Sequence, residues 1–139
     1  MATVNPYLAF DGNCMEAFEF YRSVFGGEFE ETTLFSEAPE GVAGPEDADR
    51  VMHMGLPLGD GQVLMGSDRP TGMPGVTFGD GIAISIGPDN PEDGRRIFDG
   101  LADGGQVVMP YERQFWGADF GACVDRFGIS WQVNFTPAD

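Results

Sequence analysis

The sequence predicts an α+β protein made of two successive β-α-β-β-β halves within a single domain of 139 residues. Two observations lead to this prediction. One strand, one helix and three strands follow each other twice along the chain, and each predicted helix ends at a glycine pair, Gly26-Gly27 or Gly104-Gly105. The two pairs are separated by the same interval as Phe20 and Phe98, which indicates duplication of one supersecondary unit. We expect modules at about 1–68 and 80–139, joined by a Gly/Pro-rich linker at 69–79.

The first half begins with a strand at residues 6–10 and a turn at Asp11-Gly12-Asn13. Helical spacing of apolar residues predicts the helix that follows, at Ala17, Phe18, Tyr21, Val24 and Phe25. Asn13 is expected to cap this helix, with Glu16 completing a capping box. Further strands are predicted at residues 29–35, 51–58 and 62–67, and Gly59-Asp60-Gly61 supplies a hairpin turn between the last two.

The second half repeats this order. Residues 82–86 alternate between isoleucine and small residues, which predicts a strand with one apolar face. Asn90 is the expected N-cap of the second helix and Pro91 its first residue, a position at which proline is favoured. Three strands follow, at residues 106–111, 120–125 and 129–135.

The charge of the chain excludes two classes of partner. Asp and Glu number 23 against 7 Lys and Arg, with no lysine, for a net charge of -16. Such a charge repels nucleic acid and anionic membranes. We interpret the acidic excess as a halophilic adaptation, because concentrated salt screens self-repulsion. A surface that suits one cationic partner is the alternative.

A cytoplasmic location is expected. No apolar run approaches the length of about 20 residues that spans a membrane, and no signal peptide is visible. The only cysteines, Cys14 and Cys123, lack CxxC spacing and are expected to be inert thiols in a reducing compartment.

Three stretches of the chain resemble one known family. The first stretch is Pro6–Asn13 (PYLAFDGN), with Ala17–Tyr21 (AFEFY) and Phe25–Gly27 (FGG). The second is His53 with Val63–Asp68 (VLMGSD). The third is Phe115–Gly117 (FWG), Gly121, Asp125–Gly128 (DRFG), Trp131 and Asn134. In this order they resemble the PhnB-like branch of the vicinal-oxygen-chelate superfamily, which includes glyoxalases, bleomycin-resistance proteins and dioxygenases.

This resemblance implies a glyoxalase-like fold in which a curled mixed sheet surrounds a cavity, and it implies a homodimer. In metal-dependent members of the superfamily, four positions facing the cavity hold a divalent metal. Those positions fall near Pro6, Met65, Gly81 and Gln132 here. Only Gln132 offers a suitable ligand, so we expect no metal and no cofactor.

The alternation of side chains along the strands predicts a small-molecule site in that cavity. Ile82, Ile84, Ile86 and Trp131 are expected to pack beneath the second helix, so that Ser85, Gln132 and Asn134 face the cavity. The same alternation is taken to point Leu8 and Phe10 inward. An apolar wall facing a hydrogen-bonding wall is typical of small-molecule sites.

Four further residues are candidates for the rim of the site. His53 is the only histidine and is either a base or a hydrogen-bonded structural residue. Asp68 either binds the ligand or caps a turn. Phe115 and Trp116 either form a lid or pack at a dimer interface.

Three functions remain open at this point. The first is metal-independent binding of a small molecule. The second is a metal-dependent lyase, isomerase or dioxygenase, and the third is a dimeric protein whose cavity has lost its ligand. Methyl transfer is disfavoured, because no glycine-rich loop of a Rossmann-type cofactor site is present.

Overall fold

The computed structural model describes residues 2–137. These residues form two compact units, and the boundary between them along the sequence lies between Thr77 and Phe78. This division falls inside the predicted linker. Each unit contains one α-helix and one four-stranded mixed sheet. The strand order is the same in both units. In each, the first strand lies parallel to the last strand of its unit, and the other pairs are antiparallel. The α+β class and the repeated β-α-β-β-β order are therefore confirmed.

Unit 1 contains a sheet with the order β1-β4-β3-β2. Its elements are β1 (Tyr7–Phe10), α1 (Cys14–Phe25), β2 (Thr33–Leu34), β3 (Val51–Gly59) and β4 (Gln62–Asp68). The strand β2 is much shorter than predicted, since residues 29–32 run beside β3 with a backbone hydrogen bond from Glu30 to Gly55 but outside a regular ladder. The hairpin between β3 and β4 uses positive φ angles at Gly59, Asp60 and Gly61, as the sequence indicated.

Unit 2 contains a sheet with the order β5-β8-β7-β6. Its elements are β5 (Ile84–Ile86), α2 (Pro91–Ala102), β6 (Gln106–Arg113), β7 (Asp119–Val124) and β8 (Ser130–Phe135). The predicted cap of α2 is confirmed, because the Asn90 side chain accepts a hydrogen bond from the backbone N–H of Asp93. The strand β5 begins later than predicted. Ile82 therefore lies outside it and is 83% exposed, so the prediction that Ile82 packs beneath the helix is wrong.

Each helix packs on one face of its sheet through aromatic side chains that fill space left by glycine. In unit 1, the Phe18 ring meets the Phe10 ring edge-on and would collide with a Cβ atom at Gly66. In unit 2, the Phe98 ring occupies the corresponding space at Gly121. Because successive side chains of a strand point to opposite faces, these contacts identify the helix-covered face of each sheet, and the other face is its helix-free face.

Both cysteine thiols are buried on the helix-covered side. Burial, followed by the charge of Asp68, raises the pKa of the Cys14 thiol far above its usual value. Burial and Asp125 together raise the pKa of Cys123 to about 11. Neither thiol therefore forms the reactive thiolate at neutral pH.

We expect the native protein to resist thiol reagents. At pH 8, dithionitrobenzoate should release no thionitrobenzoate within minutes, and two equivalents should appear after unfolding in guanidinium chloride. Reaction of either thiol in the folded protein at the rate of a free cysteine would show that the burial of that residue is wrong.

A buried carboxylate ties the loop before β3 to the chain after β4. Asp47 accepts hydrogen bonds from the backbone N–H of Thr71, at 2.9 Å, and from its hydroxyl, at 2.5 Å. The Arg50 guanidinium lies 3.4 Å from the same carboxylate. The Thr71 hydroxyl, and more weakly its N–H and Arg50, hold the pKa of Asp47 below its usual value despite burial.

A lowered pKa makes this residue a source of acid sensitivity. Because the carboxylate is favoured in the folded state, its contribution to stability is present above the pKa of an unfolded Asp, near 4, and is lost as pH falls through the folded value. Asp47→Asn should therefore destabilise the protein at pH 7, and the difference from wild type in urea unfolding should shrink towards pH 3. A difference that stays constant between these pH values would contradict the assignment.

Candidate functional site

The helix-free face of unit 2 brings three of the predicted site residues together. Ser85 and Gln132 are register partners on the parallel strands β5 and β8 and therefore share a face. Asn134 follows two residues later on β8, opposite Phe120 of β7. Val133 pairs with Gly121, and Phe98 of α2 occupies the space that a side chain at Gly121 would fill, so Val133 faces the helix. Its two neighbours along β8, Gln132 and Asn134, therefore point away from the helix. The structure thus places these three side chains on the face away from α2, and their lining of a ligand cavity stays a prediction.

The loop between β6 and β7 places an aromatic pair at the end of this face. The Trp116 ring lies 6.1 Å from the Phe120 ring and 4.9 Å from the Phe115 ring. Trp116 is 53% exposed and Phe115 is 97% exposed, so both keep large apolar surfaces in water. The turn is fixed by a backbone hydrogen bond from Gly117 to Gln114 and by a positive φ of 94° at Gly117. Phe120 thus lies between the Trp116 ring and its register partner Asn134, on the face that also carries Gln132 and Ser85.

In unit 1, the side chains of Leu8 and Phe10 lie on the opposite face of the sheet from the one predicted. Leu8 and Phe10 are buried beneath α1, where Leu8 pairs with Gly66 and Phe10 contacts Phe18. They therefore lie on the helix-covered face, and the prediction that they point into a cavity is wrong. The physical reason is that β1 carries a large aromatic ring on each of its two faces, Tyr7 on one and Phe10 on the other. The half-exposed Tyr7 lies on the helix-free face, so Phe10 is buried under the helix.

Tyr7 is a residue that the sequence analysis missed. Its hydroxyl lies 3.1 Å from Nδ1 of His53, and the two rings are 5.7 Å apart. Tyr7 pairs with Met65, which in turn pairs with Gly55 of β3, so these residues share the helix-free face of unit 1. His53, two residues before Gly55, lies on this face as well. The sequence feature that could have identified it is the tyrosine next to Leu8, on the other face of the strand from Leu8 and Phe10.

Asp68 lies on the helix-covered side and acts within the fold. One carboxylate oxygen accepts hydrogen bonds from the backbone N–H groups of Gly12 and Cys14, and the other accepts from Val51, all at 2.9 Å. Asp68 therefore caps α1 from a distant strand. The expected capping by Asn13 is wrong, because its side chain makes no cap hydrogen bond. A role for Asp68 in ligand binding finds no support in these contacts.

The residues at the four superfamily metal positions do not fit a divalent metal. Met65 and Gln132 lie on helix-free faces, whereas Pro6 precedes β1 and Gly81 precedes β5. Proline and glycine offer no side-chain ligand, and a thioether is a poor ligand for a hard cation. Across residues 2–137, no three His, Cys, Asp or Glu side chains come together in a metal-binding group.

Comparison with known proteins identifies first the class and then the family. The fold is shared with a glyoxalase/bleomycin resistance protein/dioxygenase family enzyme from Burkholderia phytofirmans, with a TM-score of 0.55, 16% identity and 96% coverage of each chain. The chain thus has a glyoxalase-like fold. It is also similar to protein PA1353 from Pseudomonas aeruginosa, at 38% identity over 98% of each chain, with a TM-score of 0.87.

A third solved structure and a family model narrow the assignment. A putative 3-demethylubiquinone-9 3-methyltransferase, PhnB protein, from Bacillus cereus is 26% identical over 97% of this chain and 100% of its own, with a TM-score of 0.80. The family model described as 3-demethylubiquinone-9 3-methyltransferase matches residues 2–134. The chain belongs to this PhnB-like family. The methyltransferase in the family's description is an activity for which we find no sequence support.

Other expectations stay predictions. In the part of the chain that the structure describes, no helix is long and apolar enough to cross a membrane. The homodimer, the role of Phe115 and Trp116 in it, and the adaptation to salt remain to be tested.

Proposed function

We propose that this PhnB-like protein binds a small molecule on the helix-free faces of its sheets and does so without a bound metal. The observation that carries the proposal is the arrangement on unit 2, where Ser85, Gln132 and Asn134 share one face with Phe120 and Trp116 lies against Phe120. An aromatic wall beside a few convergent hydrogen-bonding groups is the usual composition of a small-molecule site.

The chemistry of these side chains defines the kind of ligand. The two carboxamides and the hydroxyl offer both donors and acceptors but no charge. Trp116 and Phe120 offer ring faces on which a planar apolar body can stack. A planar molecule with an uncharged polar edge would satisfy both, with the amide of Gln132 as its central partner.

The metal-dependent alternative is not favoured. The four superfamily positions supply a single plausible ligand, Gln132, and an isolated carboxamide does not hold a divalent cation.

We expect purified protein to contain no stoichiometric divalent metal when it is prepared without chelator. Inductively coupled plasma mass spectrometry should find well below one equivalent of Zn, Mn, Fe or Ni per chain. One equivalent of any of these metals, retained through dialysis, would contradict the metal-free proposal.

Binding can be measured with benzamide as a probe, because it combines a phenyl ring with a carboxamide edge. Titration followed by NMR should give saturable binding, and Gln132→Ala should weaken it by about three- to tenfold, the cost of one lost neutral hydrogen bond. Gln106→Ala is the matched control, since Gln106 is an exposed glutamine of β6. Equal affinities of the two variants, or no saturable binding by wild type, would refute the site.

A further inference from the structure

The helix-free face of unit 1 carries the carboxylate of an exposed glutamate, Glu30, whose backbone is attached to β3. The backbone N–H of Glu30 donates to the carbonyl of Gly55 at 2.9 Å, which attaches residue 30 to the edge of β3. Its side chain folds back over Gly55, so that Oε1 lies 2.7 Å from the place where a Cβ atom of residue 55 would be. The glycine at position 55 is what makes room for this carboxylate.

The side chains next to this exposed carboxylate on the sheet are apolar. Val63 Cγ1 lies 3.0 Å from the same point above Gly55, and Met65 is the register partner of Gly55. Among residues 2–137, no hydrogen bond or ion pair engages the Glu30 carboxylate. The negative charge of the exposed Glu30 therefore lies beside apolar side chains, and within residues 2–137 no cation forms an ion pair with it.

The Tyr7–His53 pair lies at the other side of the same surface. Tyr7 is separated from Gly55 by β4, which corresponds to about 10 Å at the usual strand spacing. His53 lies about 7 Å from Gly55 along β3. Met65 forms the floor between Glu30 and the two rings, and its thioether is a favourable contact for an aromatic ring.

We infer that this surface binds a small arylalkylamine as its ammonium ion, with the ammonium on Glu30 and the ring over Met65 beside Tyr7 and His53. The backbone separation of about 10 Å between Tyr7 and Gly55 matches the length of one ring with a short linker to the charge. The net charge of -16 enriches organic cations around the protein and disfavours anions. The inference rests on the proposed small-molecule function and specifies a ligand class for a second surface.

His53 provides a direct reporter, because it is the only histidine and gives a single set of imidazole signals. Benzylammonium, added to the full-length protein labelled at histidine, should shift the His53 signals in a saturable manner. Benzyl alcohol, the neutral analogue, should bind about fivefold more weakly, as should benzylammonium to Glu30→Gln, because a partly exposed ion pair is lost. Glu31→Gln, an exposed neighbour, is the matched control and should bind as wild type does.

Three results would overturn the inference: unchanged His53 signals, equal affinity for benzyl alcohol and benzylammonium, or equal affinity of Glu30→Gln and Glu31→Gln. The comparison of the two probes needs no variant and stays decisive if a substitution disturbs folding. Failure here with benzamide still binding at Gln132 would remove only this inference, whereas loss of benzamide binding alone would remove the site on unit 2.

Discussion

Asp68→Ala should destabilise the protein by about 3–5 kcal/mol, because three backbone N–H groups lose their acceptor at once. A buried donor left without a partner costs about 1–3 kcal/mol, and the N–H groups of Cys14 and Val51 are buried in this structure. The substitution also removes a negative charge from the N-terminus of α1, where the helix dipole favours it. Urea unfolding at pH 7 is the measurement.

Two variants separate this role from a general effect of charge. Asp68→Asn keeps one acceptor oxygen and should lose less stability than Asp68→Ala. Asp49→Ala removes a carboxylate from an exposed position of the same unit and should change stability by no more than about 0.5 kcal/mol. A loss in Asp68→Ala no larger than that in Asp49→Ala would show that the three hydrogen bonds do not hold unit 1 together.

Gly121→Ala should be the second strongly destabilising change, at about 2–3 kcal/mol. An added Cβ atom would lie 2.7 Å from Phe98 Cε1 and 2.7 Å from Tyr111 Cα. The backbone atom cannot move without disturbing the pairing of β6 and β7, so the strain of overpacking is not relieved by a rotamer change. Thermal or urea unfolding reports the loss.

Gly81→Ala is the control within the same unit. Apart from its two chain neighbours, no atom of residues 2–137 lies within 4 Å of a Cβ at Gly81, and its φ is outside the left-handed region. Alanine there should leave stability unchanged or raise it by up to about 1 kcal/mol, because the unfolded chain loses freedom. Equal effects of alanine at positions 121 and 81 would contradict the packing of α2 on its sheet.

Regular alternation made the orientation of part of the candidate site predictable. Along β5, isoleucine alternates with serine, and along β8, tryptophan and valine alternate with amides, so burial of the apolar set places Ser85, Gln132 and Asn134 on the other face. In the first strand the two faces do not differ in this way, because each carries a large aromatic ring, Tyr7 on one face and Phe10 on the other. Its orientation is decided by packing against Phe18, which the sequence does not reveal.

Contacts between distant parts of the chain account for the remaining errors. Asn13 has the right residue type for an N-cap, yet the N–H of Cys14 bonds to Asp68, 54 residues further along the chain. Glu30 is one of three glutamates in a run of four residues, and its place over Gly55 depends on how the segment before β2 joins β3. Local spacing carries no information on either contact.

The two tryptophans allow the most direct test of the claim that ligands bind the helix-free face. Trp131 is fully buried on the helix-covered face, where its indole N–H donates to Asp125 at 2.8 Å, whereas Trp116 is half-exposed beside Phe120. In a ¹H–¹⁵N spectrum, saturating benzamide should shift the Trp116 indole signal and the carboxamide signals of Gln132 and Asn134, and leave the Trp131 indole signal in place. Shifts at Trp131 with none at Trp116 or Gln132 would contradict the account.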